Sequence, residues 1–396
     1  MTPEPHELQA LVRQLHQQAS PWLPAGSGSR LGWGPPVQAG AAGAAAASPA
    51  PLVLSTARLD RILEHSPGDF TVSVEAGTPL VVLQQELQRH RQWLALDWPA
   101  GSGPAGAASG SVGGLVARGL AGGYRQRYLG VRDQLIGIGL LRADGTAARA
   151  GGKVVKNVAG YDLMRLLCGS WGSLALITTV TLRTLPLPPE RRGLLLQAPL
   201  PALAALNRWL LDSSLSPERI DWQRRAGGDH RLLVALASIT RQTLDEQLDC
   251  IRNRAGEQGI AALALDAEEL EAAIAGAGPA TPQPDWLLRI GVPAAQLESL
   301  LADADGSLRG LDLELGGGSG LGMGWADASA LPTYRVEALR RRCRQLGGHL
   351  TVLRQPAGSG LPAWLDAPSR PLIEAIKRQF DPLQQLARGR LPGVQA

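Results

Sequence analysis

Cysteine is scarce in this chain of 396 residues. Its three cysteines, Cys168, Cys250 and Cys343, lie far apart in the sequence. That spacing allows no disulfide framework, no Cys-x-x-Cys redox pair and no zinc knuckle. An iron–sulfur cluster held by four thiolates is excluded by number alone, because there is no fourth cysteine. The pattern is typical of a chain that works in a reducing compartment.

Lysine is scarce too, and charge of one sign is not concentrated anywhere. Only three of the 39 basic residues are lysine, and the net charge is +4. Basic residues are mostly interleaved with acids, and the one dense arginine run, over 340–344, falls in a helical pattern. Scattered charge of this kind indicates solvated helix faces, so we expect no nucleic-acid binding.

Long apolar runs are missing as well. Residues 1–9 include Glu4 and Glu7 and contain no apolar core of a signal peptide. The two long uncharged runs, 31–57 and 98–117, are rich in Gly, Pro, Ala and Ser and cannot form an apolar spanning helix. We therefore expect a cytoplasmic protein that reaches the inner face of the cytoplasmic membrane only through a partner.

The first half of the chain predicts strands that alternate with helices. Hydrophobic periodicity predicts helices over 8–18, 58–65 and 80–90, and strands over 52–55, 70–75, 137–142 and 174–184. Residues 39–51 are predicted to be an alanine-rich loop.

A proline-rich break at Pro186-Leu187-Pro188-Pro189 marks the predicted domain boundary, giving domains of 1–188 and 189–396. Beyond it, helices are predicted over 203–211, 244–255, 294–301 and 336–346, and strands over 232–237, 287–292 and 349–353. These repeats favour an α+β fold in which helices cover one face of an antiparallel sheet.

Two glycine-rich stretches resemble functional loops only superficially. Residues 101–106 match the letters GxGxxG, but Pro104 interrupts the match and no strand–turn–helix context surrounds it, which argues against a dinucleotide-binding fingerprint. The stretch 316–324 is predicted to be a flexible loop.

Two other glycine–serine segments predict an anion site. Pro24-Ala25-Gly26-Ser27-Gly28-Ser29-Arg30 combines small residues, hydroxyl donors and one cation. Small side chains let successive backbone N–H groups converge on an anion. The segment 108–119, Ala-Ser-Gly-Ser-Val-Gly-Gly-Leu-Val-Ala-Arg-Gly, is similar in composition. Facing one another, the two segments could clamp a diphosphate. A plain linker remains the alternative for the first of them.

A third segment is dense in directional polar groups. Residues 151–163, Gly-Gly-Lys-Val-Val-Lys-Asn-Val-Ala-Gly-Tyr-Asp-Leu, hold two of the three lysines in an arginine-rich chain. Lysine and arginine are not interchangeable, so two retained lysines indicate a geometric requirement. Chance clustering is the alternative.

In this order, the segments resemble the FAD-binding half of the vanillyl-alcohol oxidase/p-cresol methylhydroxylase (PCMH-type) superfamily. The resemblance covers roughly residues 5–188 and is strongest over 153–163 and 167–174. These two runs are similar to the family of small FAD-binding subunits of bacterial glycolate oxidases. The tail Phe380-Asp381-Pro382, followed by Gly389-Arg390, is similar too, but it lacks that family's Asn-Pro, which leaves a contact between tail and cofactor without support.

The resemblance implies a PCMH-type FAD-binding domain of two α/β subdomains, followed by an α+β cap domain. It assigns the pyrophosphate of FAD to Gly26, Ser27, Gly28, Ser29, Ser109, Gly113 and Gly114. It assigns the ribityl chain and flavin ring to Asn157, Gly160, Tyr161, Asp162 and the backbone of Ile177. Arg132 and Asp133 are expected near the cofactor or bracing its loop. The first loop has no histidine or cysteine for a covalent flavin bond, so non-covalent FAD is expected.

The implied activity is oxidation of glycolate, a 2-hydroxy acid, to glyoxylate. The implied partners are a larger flavin subunit and an iron–sulfur subunit. Such chemistry needs a base for the hydroxyl proton and a cation for the carboxylate. No two of the six histidines have metal-ligand spacing, so no metal site is predicted. His349 is the most plausible base and Arg289 a candidate carboxylate ligand, but a structural role is the stronger reading of each, and no catalytic residue is assigned.

Two alternatives stay open at this point. One is a self-sufficient FAD-dependent dehydrogenase of D-lactate or another 2-hydroxy acid. The other is a non-catalytic assembly subunit whose glycine loops no longer hold a cofactor.

Overall fold

The computed structural model describes residues 1–38, 51–97, 110–152, 162–279 and 283–395. The strands of the first half are β1 (Trp22–Ala25), β2 (Leu52–Ser55), β3 (Ile62–Ser66), β4 (Thr71–Glu75), β5 (Gln92–Trp93), β6 (Leu135–Leu141), β7 (Ala147–Gly151), β8 (Leu176–Arg183) and β9 (Leu185–Pro186). The helices are α1 (Leu8–Gln17), α2 (Leu80–Arg89), α3 (Val112–Arg118), α4 (Arg125–Tyr128), α5 (Val131–Gln134) and α6 (Leu163–Leu167).

A five-stranded antiparallel sheet forms the centre of the first half. Its strand order is β3-β4-β8-β6-β7, and β1 and β2 form a separate parallel pair. The central strand β8 is rich in β-branched residues, which favour a pleated and half-buried surface. The apolar faces of α2 and α3 pack on this sheet through residues such as Leu83 and Leu115, which are fully buried. Both helices therefore have a rigid support.

The second half is built on a larger antiparallel sheet. Its strands are β10 (Glu190–Gln197), β11 (Arg219–Arg224), β12 (His230–Ser238), β13 (Ala261–Leu265), β14 (Trp286–Gly291), β15 (Asp312–Gly316), β16 (Leu321–Ala326) and β17 (His349–Arg354). Its helices are α7 (Leu200–Asp212), α8 (Arg241–Glu257), α9 (Ala267–Ala275), α10 (Leu297–Leu301) and α11 (Thr333–Gln345). The strand order is β13-β10-β12-β11-β15-β16-β14-β17.

One large apolar core joins this sheet to α7, α8, α10 and α11. Leu203 of α7, Leu244 of α8 and Leu339 of α11 pack with Trp222 and Trp286 of the sheet, and all five are buried. The α+β class with an antiparallel sheet, predicted from the sequence, is confirmed.

The C-terminal segment returns to the first half of the chain. Helix α12 (Arg370–Phe380) and the residues after it pack on the core of the five-stranded sheet through Ile376, Phe380 and Leu391. The eight-stranded sheet begins at Glu190 and ends at Arg354, so the chain visits that half and then comes back. The division into 1–188 and 189–396 stays a prediction.

Two local expectations are wrong. Residues 58–65 were expected to form a helix, but Ile62–Ser66 is strand β3, paired with β4, because that pairing outweighs a short apolar period. Residues 316–324 were expected to be a flexible loop, but Leu321–Ala326 is β16, paired on both sides by β14 and β15. The predicted alanine-rich loop falls almost entirely outside the described residues.

Across the parts of the chain that the structure describes, no helix is long and apolar enough to cross a membrane.

Candidate functional site

An open cleft lies in the first half of the chain, with about 720 Å³ of empty space. Three segments form its walls: residues 23–31, residues 110–118 and residues 171–177. The predicted site residues that line it are Gly26, Ser27, Gly28, Ser29, Gly113, Gly114 and Ile177. The fold thus brings both glycine–serine segments and the start of β8 to one place.

The two glycine–serine segments touch at Gly26. A Cβ atom at Gly26 would lie 1.9 Å from Oγ of Ser111, so only glycine permits this approach. Ser111 in turn caps α3, because its Oγ accepts a hydrogen bond from the Gly114 amide at 3.3 Å. Gly28 has a φ of +78°, a left-handed conformation that glycine adopts without strain.

Gly113 fixes the other wall against the sheet. Its amide donates to the Ala76 carbonyl at 2.7 Å, and a Cβ atom there would lie 2.8 Å from Cβ of Ala76. Close packing of helix α3 on the turn after β4 therefore requires glycine at this position. The backbone around the cleft is positioned by the sheet rather than by a flexible loop.

Three buried arginines, Arg30, Arg118 and Arg390, also line the cleft. Arg118 donates to the Arg30 carbonyl at 2.7 Å, and its guanidinium lies 3.9 Å from the ring centroid of Trp171. Arg390 donates to the carbonyls of Pro35 at 2.8 Å and Leu31 at 2.7 Å. These contacts fix the positions of the Arg118 and Arg390 side chains, but they do not neutralise the positive charges.

The described residues do not compensate the charges of Arg118 and Arg390. Burial lowers the pKa of Arg30 and of Arg390 to about 10. Burial, and then the charges of Arg390 and Arg30, lower the pKa of Arg118 well below its ordinary value. Within the described residues, no carboxylate pairs with Arg118 or Arg390, and Nη1 of Arg118 has no hydrogen-bond partner. Buried cations without counter-ions at a cleft wall indicate an anionic ligand.

The other predicted site residues that the structure describes lie outside the cleft. Arg132 is exposed on α5, and Asp133 accepts a hydrogen bond from the Gly130 amide at 3.2 Å; neither lines the cleft. Asp162 is exposed, pairs with Arg165 at 3.3 Å and does not line the cleft either. Ser109, Asn157, Gly160 and Tyr161 fall outside the described residues. The roles proposed for these seven positions stay predictions.

Two of the three cleft arginines received no role from the sequence. Arg118 comes seven residues after the helix cap Ser111, which is two turns of helix, so both residues lie on the same helix face. This spacing could have indicated that Arg118 lines the cleft. Arg390 reaches the cleft from the C-terminal tail, although the tail lacks the Asn-Pro that would have supported such a contact. No local pattern could have placed it beside Arg118.

A second polar group lies where the two halves meet, at the end of α3. Arg289 of β14 donates to the Gly119 carbonyl at 3.3 Å, next in sequence to Arg118. Burial lowers the pKa of Arg289; the Cys168 thiol opposes that effect, but no carboxylate of the described chain does. Desolvation and the charge of Arg289 lower the pKa of His349, whose ring covers Gly291. A neutral imidazole and a guanidinium without a carboxylate partner in the described chain thus lie near each other.

The fold also brings two histidines together that are far apart in sequence. The rings of His65 and His90 lie 4.8 Å apart, beside Glu86. The sequence predicted no metal site because no two histidines had ligand spacing, but spacing does not reveal contacts between a strand and a helix.

Comparisons with known proteins agree with the site. Residues 3–151 match the family described as FAD binding domain. The chain is 29% identical over 344 residues to glycolate oxidase subunit GlcE of Escherichia coli, covering 83% of this chain and 84% of that protein.

Other similar proteins match only part of the chain. D-2-hydroxyglutarate dehydrogenase of Xanthomonas citri pv. viticola is 32% identical over 49% of this chain and 38% of its own length. Glycolate oxidase subunit GlcD of Bacillus subtilis is 31% identical over 48% of this chain and 37% of its own length.

A solved structure of alkyldihydroxyacetonephosphate synthase shares the fold. The TM-score is 0.68 at 13% identity, covering 98% of this chain and 75% of that one. The buried arginines and close glycine contacts fit the pyrophosphate of FAD. The chain thus contains a match to the FAD binding domain over residues 3–151, and it is similar along most of its length to a glycolate oxidase subunit.

Proposed function

We propose that this chain is the small FAD-binding subunit of a complex that oxidises glycolate, a 2-hydroxy acid, to glyoxylate. Its partners are a larger flavin subunit and an iron–sulfur subunit, through which it reaches the inner face of the cytoplasmic membrane. The observation that carries the proposal is the extent of the similarity. The alignment with GlcE includes 344 residues, whereas those with GlcD and D-2-hydroxyglutarate dehydrogenase include 191 and 194.

The cleft supplies the cofactor site. Arg118 and Arg390 would neutralise the pyrophosphate of FAD, and the backbone amides of residues 26–29 and 113–114 would donate to it. Arginine suits this task because its planar fork binds phosphate oxygens in pairs. None of the described residues that line the cleft is a histidine or a cysteine, which supports non-covalent binding.

When bound, FAD supplies a two-electron acceptor for the hydrogen of the carbinol carbon. The chain's own residues bind and orient, and its three cysteines cannot hold a four-thiolate cluster. In this proposal, single electrons pass onward to a partner that carries such a cluster.

Substrate oxidation by this chain itself is the second candidate, and the group around Arg289 favours it. Arg289 would hold the carboxylate of a 2-hydroxy acid, because its guanidinium has no carboxylate partner in the described structure. His349 would accept the hydroxyl proton, since its lowered pKa keeps the imidazole neutral at physiological pH. Arg289 contacts Gly119, one residue beyond Arg118 in the wall of the FAD cleft.

The visible spectrum of the purified chain tests these assignments. We expect flavin bands that acid precipitation removes from the protein pellet. Colourless protein that takes up no added FAD would contradict the proposal and favour a non-catalytic assembly subunit. Yellow colour retained on the pellet would contradict non-covalent binding.

Anaerobic addition of glycolate separates the two candidates. Bands that persist in the isolated chain, and bleach once the co-purified partners are present, support a subunit that depends on its complex. Bands that bleach in the isolated chain assign substrate oxidation to it. In that case Arg289→Met should abolish bleaching. Arg340→Met is the control and should retain bleaching, because Arg340 is also a buried arginine but does not line the cleft.

A further inference from the structure

Three side chains with metal-binding chemistry meet at the edge of the five-stranded sheet, on elements that the FAD cleft does not use. His65 belongs to edge strand β3, Glu86 lies on α2, and His90 directly follows that helix. One ligand atom from each lies within 4.8 Å of the others. Glu86 and His90 are four residues apart, so they share a helix face, and Oε1 of Glu86 is 3.6 Å from Nε2 of His90.

The tautomer of His65 is fixed by its neighbour Gln92. The Gln92 amide nitrogen donates to the Pro67 carbonyl at 2.7 Å, and its Oε1 accepts from the Thr184 hydroxyl at 2.7 Å. The amide oxygen therefore faces His65, 3.0 Å from Nε2, and Nε2 must carry the hydrogen. Nδ1 of His65 is left with a lone pair.

That lone pair has no partner in the described chain. Nδ1 of His65 is shielded from solvent and accepts no hydrogen bond from any described residue. A buried acceptor without a partner costs free energy that a bound cation would recover. A histidine whose other ring nitrogen donates to an oxygen is the usual arrangement of a metal ligand.

The carboxylate of Glu86 is oriented in the same way. Its Oε2 accepts a hydrogen bond from Arg89 at 2.7 Å, which directs Oε1 towards His90. Two imidazoles and one carboxylate form a ligand set that divalent zinc accepts, with water in the fourth position.

We propose that His65, Glu86 and His90 bind one divalent transition-metal ion of the zinc class. The ion joins the edge strand β3 to the end of α2 and so stabilises the sheet at its open edge. The opposite end of α2 adjoins the cleft, because the Leu80 amide donates to the Gly110 carbonyl at 3.0 Å. The metal site is therefore separate from the FAD cleft and has a structural role.

Cobalt(II) titration of the holoprotein tests the proposal. Untagged protein with Cys250→Ser, which removes an exposed thiol, is treated with chelator and titrated with Co²⁺. We expect one equivalent per chain to produce visible absorption at wavelengths beyond the flavin bands. His90→Asn and Glu86→Gln should abolish it, and His6→Asn, an exposed histidine elsewhere, should retain it. Zn²⁺ should compete with Co²⁺ and raise the Tm of the parent protein and of His6→Asn, but not that of His90→Asn or Glu86→Gln.

The other outcomes overturn the proposal. Absence of stoichiometric binding in the parent protein would show that there is no site. Equal binding by His90→Asn and Glu86→Gln would place the ion elsewhere, and loss in only one of them would refute this ligand set. Circular dichroism of each variant without metal shows whether it remains folded, which is expected because Glu86 is partly exposed and His90 is exposed.

Discussion

At the scale of single residues, the shape of the cleft depends on glycines, which have no side chain, as much as on the side chains that line it. Gly26 leaves room for Ser111, and Gly113 leaves room for Ala76. Beside these close contacts stand buried guanidinium groups that the described protein does not neutralise. The glycines leave space in the cleft and the arginines leave positive charge there. Both features favour binding of a bulky anion that the chain itself does not supply.

Gly26→Ala should weaken FAD binding. A methyl group 1.9 Å from Oγ of Ser111 forces the two segments apart, and overpacking of this kind typically costs about 1–3 kcal/mol. We expect FAD affinity to fall about tenfold or more, as measured by fluorescence titration of the apoprotein. Gly32→Ala is the matched control in the same loop, because a Cβ atom there meets nothing within 4 Å. Equal affinity in the two variants would contradict the assignment of the cleft.

Arg118→Met should separate cofactor binding from stability. Loss of a charge-assisted hydrogen bond to the pyrophosphate costs about 1.5–3 kcal/mol, so FAD affinity should fall roughly 10- to 100-fold. The Tm of the apoprotein should not fall, because the variant removes a buried charge that has no counter-ion in the described structure. Calorimetry of apoprotein and holoprotein measures both effects. A lower apoprotein Tm with unchanged FAD affinity would mean that Arg118 is only structural.

At the scale of elements, a buried polar cluster, the hub, anchors the tail after α12 beside the cleft. Asp381, fully buried, accepts hydrogen bonds from Nζ of Lys377 at 2.6 Å and from the Leu386 amide at 2.7 Å. Lys377 also donates to the Ser173 carbonyl at 2.7 Å, on the segment that forms the third wall of the cleft. The hub therefore fixes the tail that carries Arg390.

Asp381→Asn should loosen this tail. It leaves the buried Lys377 ammonium without its carboxylate, and breaking a buried pair costs about 3–5 kcal/mol. We expect a lower Tm and weaker FAD binding together, since Arg390 moves with the tail. Asp366→Asn, which alters an exposed carboxylate before α12, is the control. Tm loss with full FAD affinity would show that the tail does not position Arg390 for FAD binding.

The sequence predicted elements better than it predicted contacts between them. The strand over 52–55 was predicted with its observed bounds, and the α2 prediction differs from Leu80–Arg89 by one residue. In both elements the apolar residues recur with a regular period, and the elements packed beside them favour the same secondary structure. Residues 58–65 have a helical period too, but β4 lies beside them and pairing prevails. Arg390 and the pair of His65 and His90 escaped prediction for the same reason, because folding rather than spacing brings them to their sites.

At the scale of the whole molecule, a buried ionic group joins the two halves. The guanidinium of Arg219 in β11 donates to Asp221 and, at 3.0 Å, to Glu314, and it lies 3.6 Å from Asp97 of the first half. Three carboxylates share one cation. Burial, and then the charge of Asp221, raise the pKa of Glu314 to about 8.

This arrangement makes the stability of the interface depend on pH. Below pH 4.5, the ordinary value for glutamate, Glu314 is protonated whether the chain is folded or unfolded. Between that pH and about 8, the unfolded chain loses the proton and the folded chain keeps it, so the free energy of unfolding decreases as pH rises, by at most ~1.4 kcal/mol per pH unit.

Glu314→Gln should remove this dependence, because glutamine keeps an oxygen for Arg219 and carries no titratable proton. We expect the Tm of the variant, relative to the parent, to increase steadily from pH 5 to pH 8. Glu246→Gln, at an exposed position on α8, should show no such trend. A difference that is constant across this range, or that shrinks towards alkaline pH, would mean that the folded chain holds Glu314 ionised. The two halves would then be joined by a fully charged network whose stability is lost in acid rather than in alkali.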